Sequence, residues 1–149
     1  MAKFIFSLQN ILNMKEKLED QAKNEFSQAN LRLVEAEEEH DRRKKRQMDA
    51  EDTLRETVRN LQDIQEVRSR EDAVEVLKMF ARQQELVVLQ RRKEVEVARN
   101  KLQEAMRERK TFEKLREKAF DEFMAEESIK EQKEVDELVS YRYGTGKEE

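Results

Sequence analysis

The sequence has no cysteine, no proline and no tryptophan, and its two glycines, Gly144 and Gly146, stand close to the end. Without cysteine there is no disulfide framework, no thiolate metal site and no cysteine nucleophile, a composition that suits a reducing compartment. Without proline or an internal glycine, nothing from Met1 to Tyr143 strongly breaks a helix. The single histidine, His40, cannot complete a histidine-based metal cluster, and no Gly-rich phosphate loop is present. No segment approaches the roughly 20 apolar residues needed to cross a bilayer. The short apolar opening "MAKFIFSLQN" is too brief for a signal peptide. A cytoplasmic protein with no membrane insertion is therefore expected. Charge of one sign is lacking too, since 35 acidic and 31 basic residues leave a formal net charge of −4. That balance argues against a nucleic-acid partner, which would call for a strongly basic domain. Enzymatic chemistry is not expected, nor any cofactor or metal. The abundant carboxylates fall on what should be solvated helix faces, where nothing raises a pKa for acid–base work.

What is present is charge and helix propensity. Charged residues make up 44% of the chain and hydrophobic residues 36%. High charge with few apolar residues can signal disorder, but disordered chains are rich in Pro, Ser and Gly. This one is built from Glu, Lys, Arg, Gln, Leu and Ala, the strong helix formers. In the first half, seam positions alternate by four and three through Ala22, Phe26, Ala29, Leu33, Ala36, His40, Arg43, Gln47, Ala50, Leu54, Thr57, Leu61 and Ile64. That is coiled-coil spacing. Beyond residue 70 the frame changes: the apolar residues lie at Ala73, Leu77, Phe80 and Val87, with Gln84 between the last two and Arg91 after them. A four-residue stutter leads on to Val95, Ala98, Leu102, Ala105, Arg109 and Phe112. The break coincides with "SRED", where Ser69 and Asp72 have the spacing of a capping box. The expected fold is all-α, a single domain of two long helices in an antiparallel coiled-coil hairpin. The first arm should cover about 5–66, the turn about 66–70, the second arm about 70–142 and a loose tail 143–149.

Three surfaces follow from this plan. "RRKKR" at 42–46 would by itself be a solvated charge run ringing the helix, paired with the acids of "EAEEEHD". Folding back near residue 68 or 69, however, sets Arg42, Arg43 and Arg46 opposite Arg91, Arg92 and Lys93. The two runs would make a positive collar able to take an acidic partner. Beside it, "KMFARQQELVVLQ" holds more apolar residues than one seam can bury, so Val88 and Leu89 should be partly exposed as a docking strip. The same fold puts Leu8 near Ile129 and Phe4 near Lys133. From about Glu134 onward the second helix then outruns its partner, carrying Val135, Leu138, Val139, Tyr141 and Tyr143 on an unpaired, marginally stable helix. His40 reads as a partly hydrated spacer in a loose seam.

The two ends of the chain, "FIFSLQNILNMKEKLEDQAKNEF" and "EQKEVDELVSYRY", resemble those of the bacterial flagellar export family FliJ. The specific matches are Phe6, Leu8, Gln9, Leu12 and Glu16, then Glu131, Gln132, Lys133, Val135, Asp136 and Glu137. The resemblance implies an antiparallel coiled coil similar to the central stalk of rotary ATPases. Its paired ends would insert into the hexameric ring of the export ATPase FliI and promote ring assembly. It would also contact the export gate protein FlhA and export chaperones, working at the flagellar base on the inner face of the cell membrane. On that reading, ring contacts fall to Gln132, Lys133, Val135, Asp136, Leu138, Val139, Tyr141 and Tyr143, with Phe4, Phe6, Leu8 and Gln9. A mid-molecule contact falls to Phe80 together with Arg42, Arg43, Arg46, Val88, Leu89, Arg91 and Arg92. Two other readings stay open: a passive structural coiled coil, and the equivalent stalk of a virulence-type secretion system.

Overall fold

A computed structural model describes residues 2–60 and 63–145. Two helices account for almost all of them: α1, Gln9–Arg59, of 51 residues, and α2, Ile64–Thr145, of 82 residues. No strand occurs among the described residues. The helices pack against each other as an antiparallel coiled-coil hairpin, as the heptads require. Each helix is also supported along its own surface by pairs three or four residues apart. Asp52 with Arg55, Glu75 with Lys78 and Glu96 with Arg99 are examples. Such pairs contribute about 0.2–0.5 kcal/mol each.

α1 ends at Arg59 and α2 begins at Ile64, so residues 66–70, where the turn was expected, are helical. Asp63 is the residue that starts α2. Its backbone carbonyl accepts from the amides of Glu66 and Val67, and its Oδ1 accepts from the amide of Gln65 at 3.4 Å. With Glu66 at the third helical position, "DIQE" has the pattern of a capping box. Ser69 instead sits inside α2, exposed, in its second turn. At the other end α2 runs on to Thr145, past the expected end near 142. The remainder of the expected tail, 146–149, lies outside the described residues.

Packing gathers the chain into two compact units, one formed by Asp20–Gln103 and the other by Met1–Glu19 with Glu104–Glu149. In the Asp20–Gln103 unit, the α1 seam follows the heptads from Ala22 to Thr57, each position buried or half-buried. The core is Ala29, Val95 and Ala98, with Phe26 and Leu33 packed against them. The α2 seam differs from the expectation. Val74, Ala81 and Val88 are buried, whereas Ala73, Phe80 and Val87 are exposed. Val88 therefore belongs to the core, while Leu89 is exposed as expected. With Val74, Leu77, Ala81, Gln84, Val88, Arg91, Val95 and Ala98 inward, the three–four alternation is unbroken and no stutter is needed. The physical reason is space. At Ala81, 2% exposed, the helices lie close enough for Arg43 Nη1 to donate to the carbonyl of Phe80 at 2.9 Å. One layer on, Gln84 Nε2 donates to the carbonyl of Ala36 at 3.0 Å. A phenylalanine in the seam would hold the backbones apart.

These contacts set a register roughly four helical turns away from the expected one. Arg92 pairs with Glu37 at 3.7 Å, and Arg42 and Arg43 pair with Glu39. The two basic runs do not meet, and the expected collar does not form.

In the other unit, Leu12 and Glu19 are the buried residues of α1. Arg109 bonds to both Glu19 and Glu113, and Lys15 pairs with Glu108 at 2.9 Å. Gln9 Oε1 accepts from Arg116 at 3.0 Å. The Phe4 ring meets Phe120 edge-on with centroids 5.2 Å apart and Phe123 at 5.5 Å, while the Arg116 guanidinium lies 5.6 Å from its centroid. Phe4 thus packs about three turns short of Lys133, its expected neighbour.

Loss of the cap in Asp63→Ala should destabilise the hairpin by about 0.5–2 kcal/mol, whereas Ser69→Ala should stay within about 0.5 kcal/mol of the parent. Thermal unfolding followed by circular dichroism distinguishes them. Equal losses would place the start of α2 elsewhere.

Candidate functional site

The surfaces open to a partner are those the seam leaves uncovered. In the unit of the chain ends, α2 is last covered at Phe123 and Glu127, and every described residue from 128 to 144 is exposed. The uncovered length begins several residues earlier than expected, because the true register stops α1 earlier along α2. Tyr141 and Tyr143 are 72% and 74% exposed, and Met124, Ile129, Val135, Leu138 and Val139 are also largely open. Extending the seam from Phe112, Ala119 and Phe123 at heptad spacing selects Glu126, Lys130, Lys133, Glu137 and Ser140, all polar. Met124, Val135, Leu138 and Val139 form a stripe of their own, rotated away from that line. A longer α1 in the same groove would not bury it.

Gln132, Lys133 and Asp136 are exposed on the same stretch. Phe4, Phe6, Leu8 and Gln9 are not brought to it. All four are half-buried, with Phe4 held at Phe120 and Phe123 and Gln9 at Arg116. The expected ring-contact set is thus two sets at different heights on α2.

The mid-molecule residues also divide. In the Asp20–Gln103 unit, Arg43, Arg46, Glu39, Leu77 and Phe80 line one groove. Arg42 stands beside it, bound to Glu39 at 2.9 Å. A second groove is lined by Val88, Leu89 and Arg92 with Glu37, His40, Asp41 and Glu85, and Arg91 is tied locally to Glu94 at 3.0 Å. His40, a half-buried seam residue, encloses its Nε2 there with no hydrogen-bond partner from the protein.

Sequence reasoning missed the apolar surface that starts at the first groove. Val76, Met79, Phe80, Leu86 and Val87 form an exposed stripe on the outer side of α2. Val76, Phe80, Gln83 and Val87 are spaced four, three and four apart. The signal is present as a second heptad stripe, and two of its members, Phe80 and Val87, were expected in the seam because their side chains are larger than those of Ala81 and Val88 or equal to them. Glu39 organises the basic edge of this surface. The hydrogen bond from Arg43, then that from Arg42, holds its carboxyl below the ordinary glutamate value.

Among the described residues, no cluster of three or more His, Cys, Asp or Glu is arranged to hold a metal ion, and no helix is long and apolar enough to cross a membrane. Each of the two units exposes an apolar stripe on α2 that its seam does not cover. The chain belongs to the flagellar FliJ protein family, whose model matches residues 4–148. No protein of curated function matches it significantly. Its fold is similar to the solved structure of CT670 from Chlamydia trachomatis, a proposed YscO homologue. The two share 22% identity over 99% of each chain, with a TM-score of 0.62.

Because the folded pKa of Glu39 is depressed, its contribution is complete above the ordinary glutamate value and is lost as pH falls through the lower, folded value. The melting temperatures of the parent and Glu39→Gln should therefore differ at neutral pH in low salt and converge in acid. A difference that persists unchanged in acid would contradict this role.

Proposed function

We propose that this chain is a non-enzymatic stalk and adaptor of the flagellar type III export apparatus. The end of α2 enters the ring of the export ATPase FliI and promotes its assembly. The observation that carries this reading is the exposed helix from 128 to 144, whose apolar stripe is rotated off the seam. An isolated helix is marginal in water and gains stability when its apolar face is covered. A ring bore lined by apolar side chains would cover Val135, Leu138 and Val139 on one side and meet Tyr141 and Tyr143 on others. The loss of side-chain freedom on binding is offset by that burial, at about 25 cal/mol per Å² of apolar surface.

The stripe from Val76 to Val87, with Arg42, Arg43 and Arg46 at its edge, is the docking surface for the export gate protein FlhA. An amphipathic helix carrying acidic residues on its rim would match both the apolar stripe and the basic edge. The groove of Val88, Leu89 and Arg92 is left to export chaperones. On this reading the protein works in the cytoplasm, at the flagellar base on the inner face of the cell membrane, and neither nucleic acid nor membrane insertion enters its action. A passive structural coiled coil would need no apolar stripe beyond the seam. The equivalent stalk of a virulence-type secretion system would show the same stripe with a different ATPase.

Ending the chain after Lys133 should leave the melting temperature of the paired helices nearly unchanged and abolish stimulation of the export ATPase. Phe80→Asp with Val87→Asp should leave that stimulation intact and abolish gate binding. A truncated chain that stimulates normally would overturn the ring assignment.

A further inference from the structure

The seam of the Asp20–Gln103 unit fits at more than one register. In the one observed, Ala29 lies with Val95 and Ala98. Sliding α2 by one heptad toward the connection would set Ala29 against Leu102, Ala36 against Val95 and Leu54 against Leu77. Apolar still meets apolar in all three layers, and small meets large in the two that contain alanine, so packing in these layers separates the two registers weakly. Within this unit the slide removes polar contacts: the bond from Gln84 to the Ala36 carbonyl, the bond from Arg43 to the Phe80 carbonyl, and the Glu37–Arg92 pair. Because α2 is one continuous helix, the same slide also exchanges the partners of Phe4, Lys15 and Glu19 in the unit of the chain ends.

The slide also pushes the first turns of α2 beyond the end of α1. Little holds that segment in helix: Ile64 is 69% exposed and Val67 only half-buried. Unwinding it needs a new helix start, and the sequence contains one. Ser69 and Asp72 repeat the capping-box spacing that Asp63 and Glu66 use here, six residues further on. That offset is close to the seven residues of a heptad, within the residue or two by which helix ends vary. The unused cap and the repeated seam thus call for the same displacement.

We propose that the hairpin has a second register one heptad away, in which α2 starts at Ser69, and that Gln84 and Arg43 select the register seen here. A helix-end cap and two seam hydrogen bonds are the elements that differ between the states, and each is of a size that a bound partner can outweigh. A partner that grips Arg46 on α1 and Phe80 on α2 binds the two registers unequally and biases them. That consequence rests on the docking surface proposed above; the slip itself does not.

The absence of cysteine makes disulfide cross-linking a clean test. Ala29→Cys with Val95→Cys reports the observed register, Ala36→Cys with Val95→Cys the shifted one, and Ala50→Cys with Val95→Cys neither. Introducing Arg43→Leu and Gln84→Leu should raise the 36–95 yield by about threefold or more above the parent and well above the 50–95 control. Adding Ser69→Ala should reverse about half of that rise or more. Asp63→Ala alone changes no seam residue, and it should raise the 36–95 yield about twofold or more even if the leucine variant folds poorly. A 36–95 yield that stays at the control level in both the leucine and the Asp63→Ala backgrounds, or that ignores Ser69→Ala, overturns the proposal.

Discussion

The close approach of two helix backbones along a seam of alanines is the constraint on which the rest of the molecule depends. Ala22, Ala29, Ala36, Ala81 and Ala98 are all buried. Each contributes little apolar area, so the seam gains less from hydrophobic burial than a leucine seam would. What it gains instead is proximity, enough for side chains of one helix to reach main-chain carbonyls of the other. Gln84 and Arg43 do this in the Asp20–Gln103 unit. In the unit of the chain ends, charged groups take over, with Glu19 held by Arg109 and Lys15 by Glu108. The Arg109 pKa is raised, first by Glu113 and then by Glu19, so the network keeps its charge. Polar bonds of this kind are directional, and they choose a register that alanines would leave open.

Register in turn decides which surfaces are free. It fixes where α1 stops covering α2, and so where the exposed stripe of Val135, Leu138 and Val139 begins. It puts Arg43 and Arg46 beside Phe80 and separates them from Arg91 and Arg92. It sends Phe80 and Val87 outward by sending Ala81 and Val88 inward. The large apolar residues that a stronger seam would bury, Phe80 among them, are those left exposed on the same helix.

The two-helix plan and the α1 seam from Ala22 to Thr57 were legible in the sequence, because that stretch repeats without a competing stripe. Of the two further positions expected, Leu61 lies outside the described residues and Ile64 opens α2, exposed. The α2 seam was not, since Phe80 and Val87 look like better core than Ala81 and Val88 until the short distance between helices is known. The turn was misplaced for a related reason: two capping signals stand six residues apart, and propensity does not choose between them. From that error followed the collar of facing arginines and the pairing of Phe4 with Lys133. The uncovered end of α2 survived the error, because any antiparallel register compatible with these arm lengths leaves the last turns uncovered by α1. The division of the candidate contact residues into separate groups could only come from the register itself.

Hydrogen exchange along the isolated chain tests the central claim most directly, since protection reports which helix segments are held by a partner. The account expects slow exchange in the seam from about residue 22 to 57 and from 74 to 123, and fast exchange throughout 128–144, with the boundary close to Phe123. Protection of 128–144 equal to that of the seam in the isolated protein would contradict it.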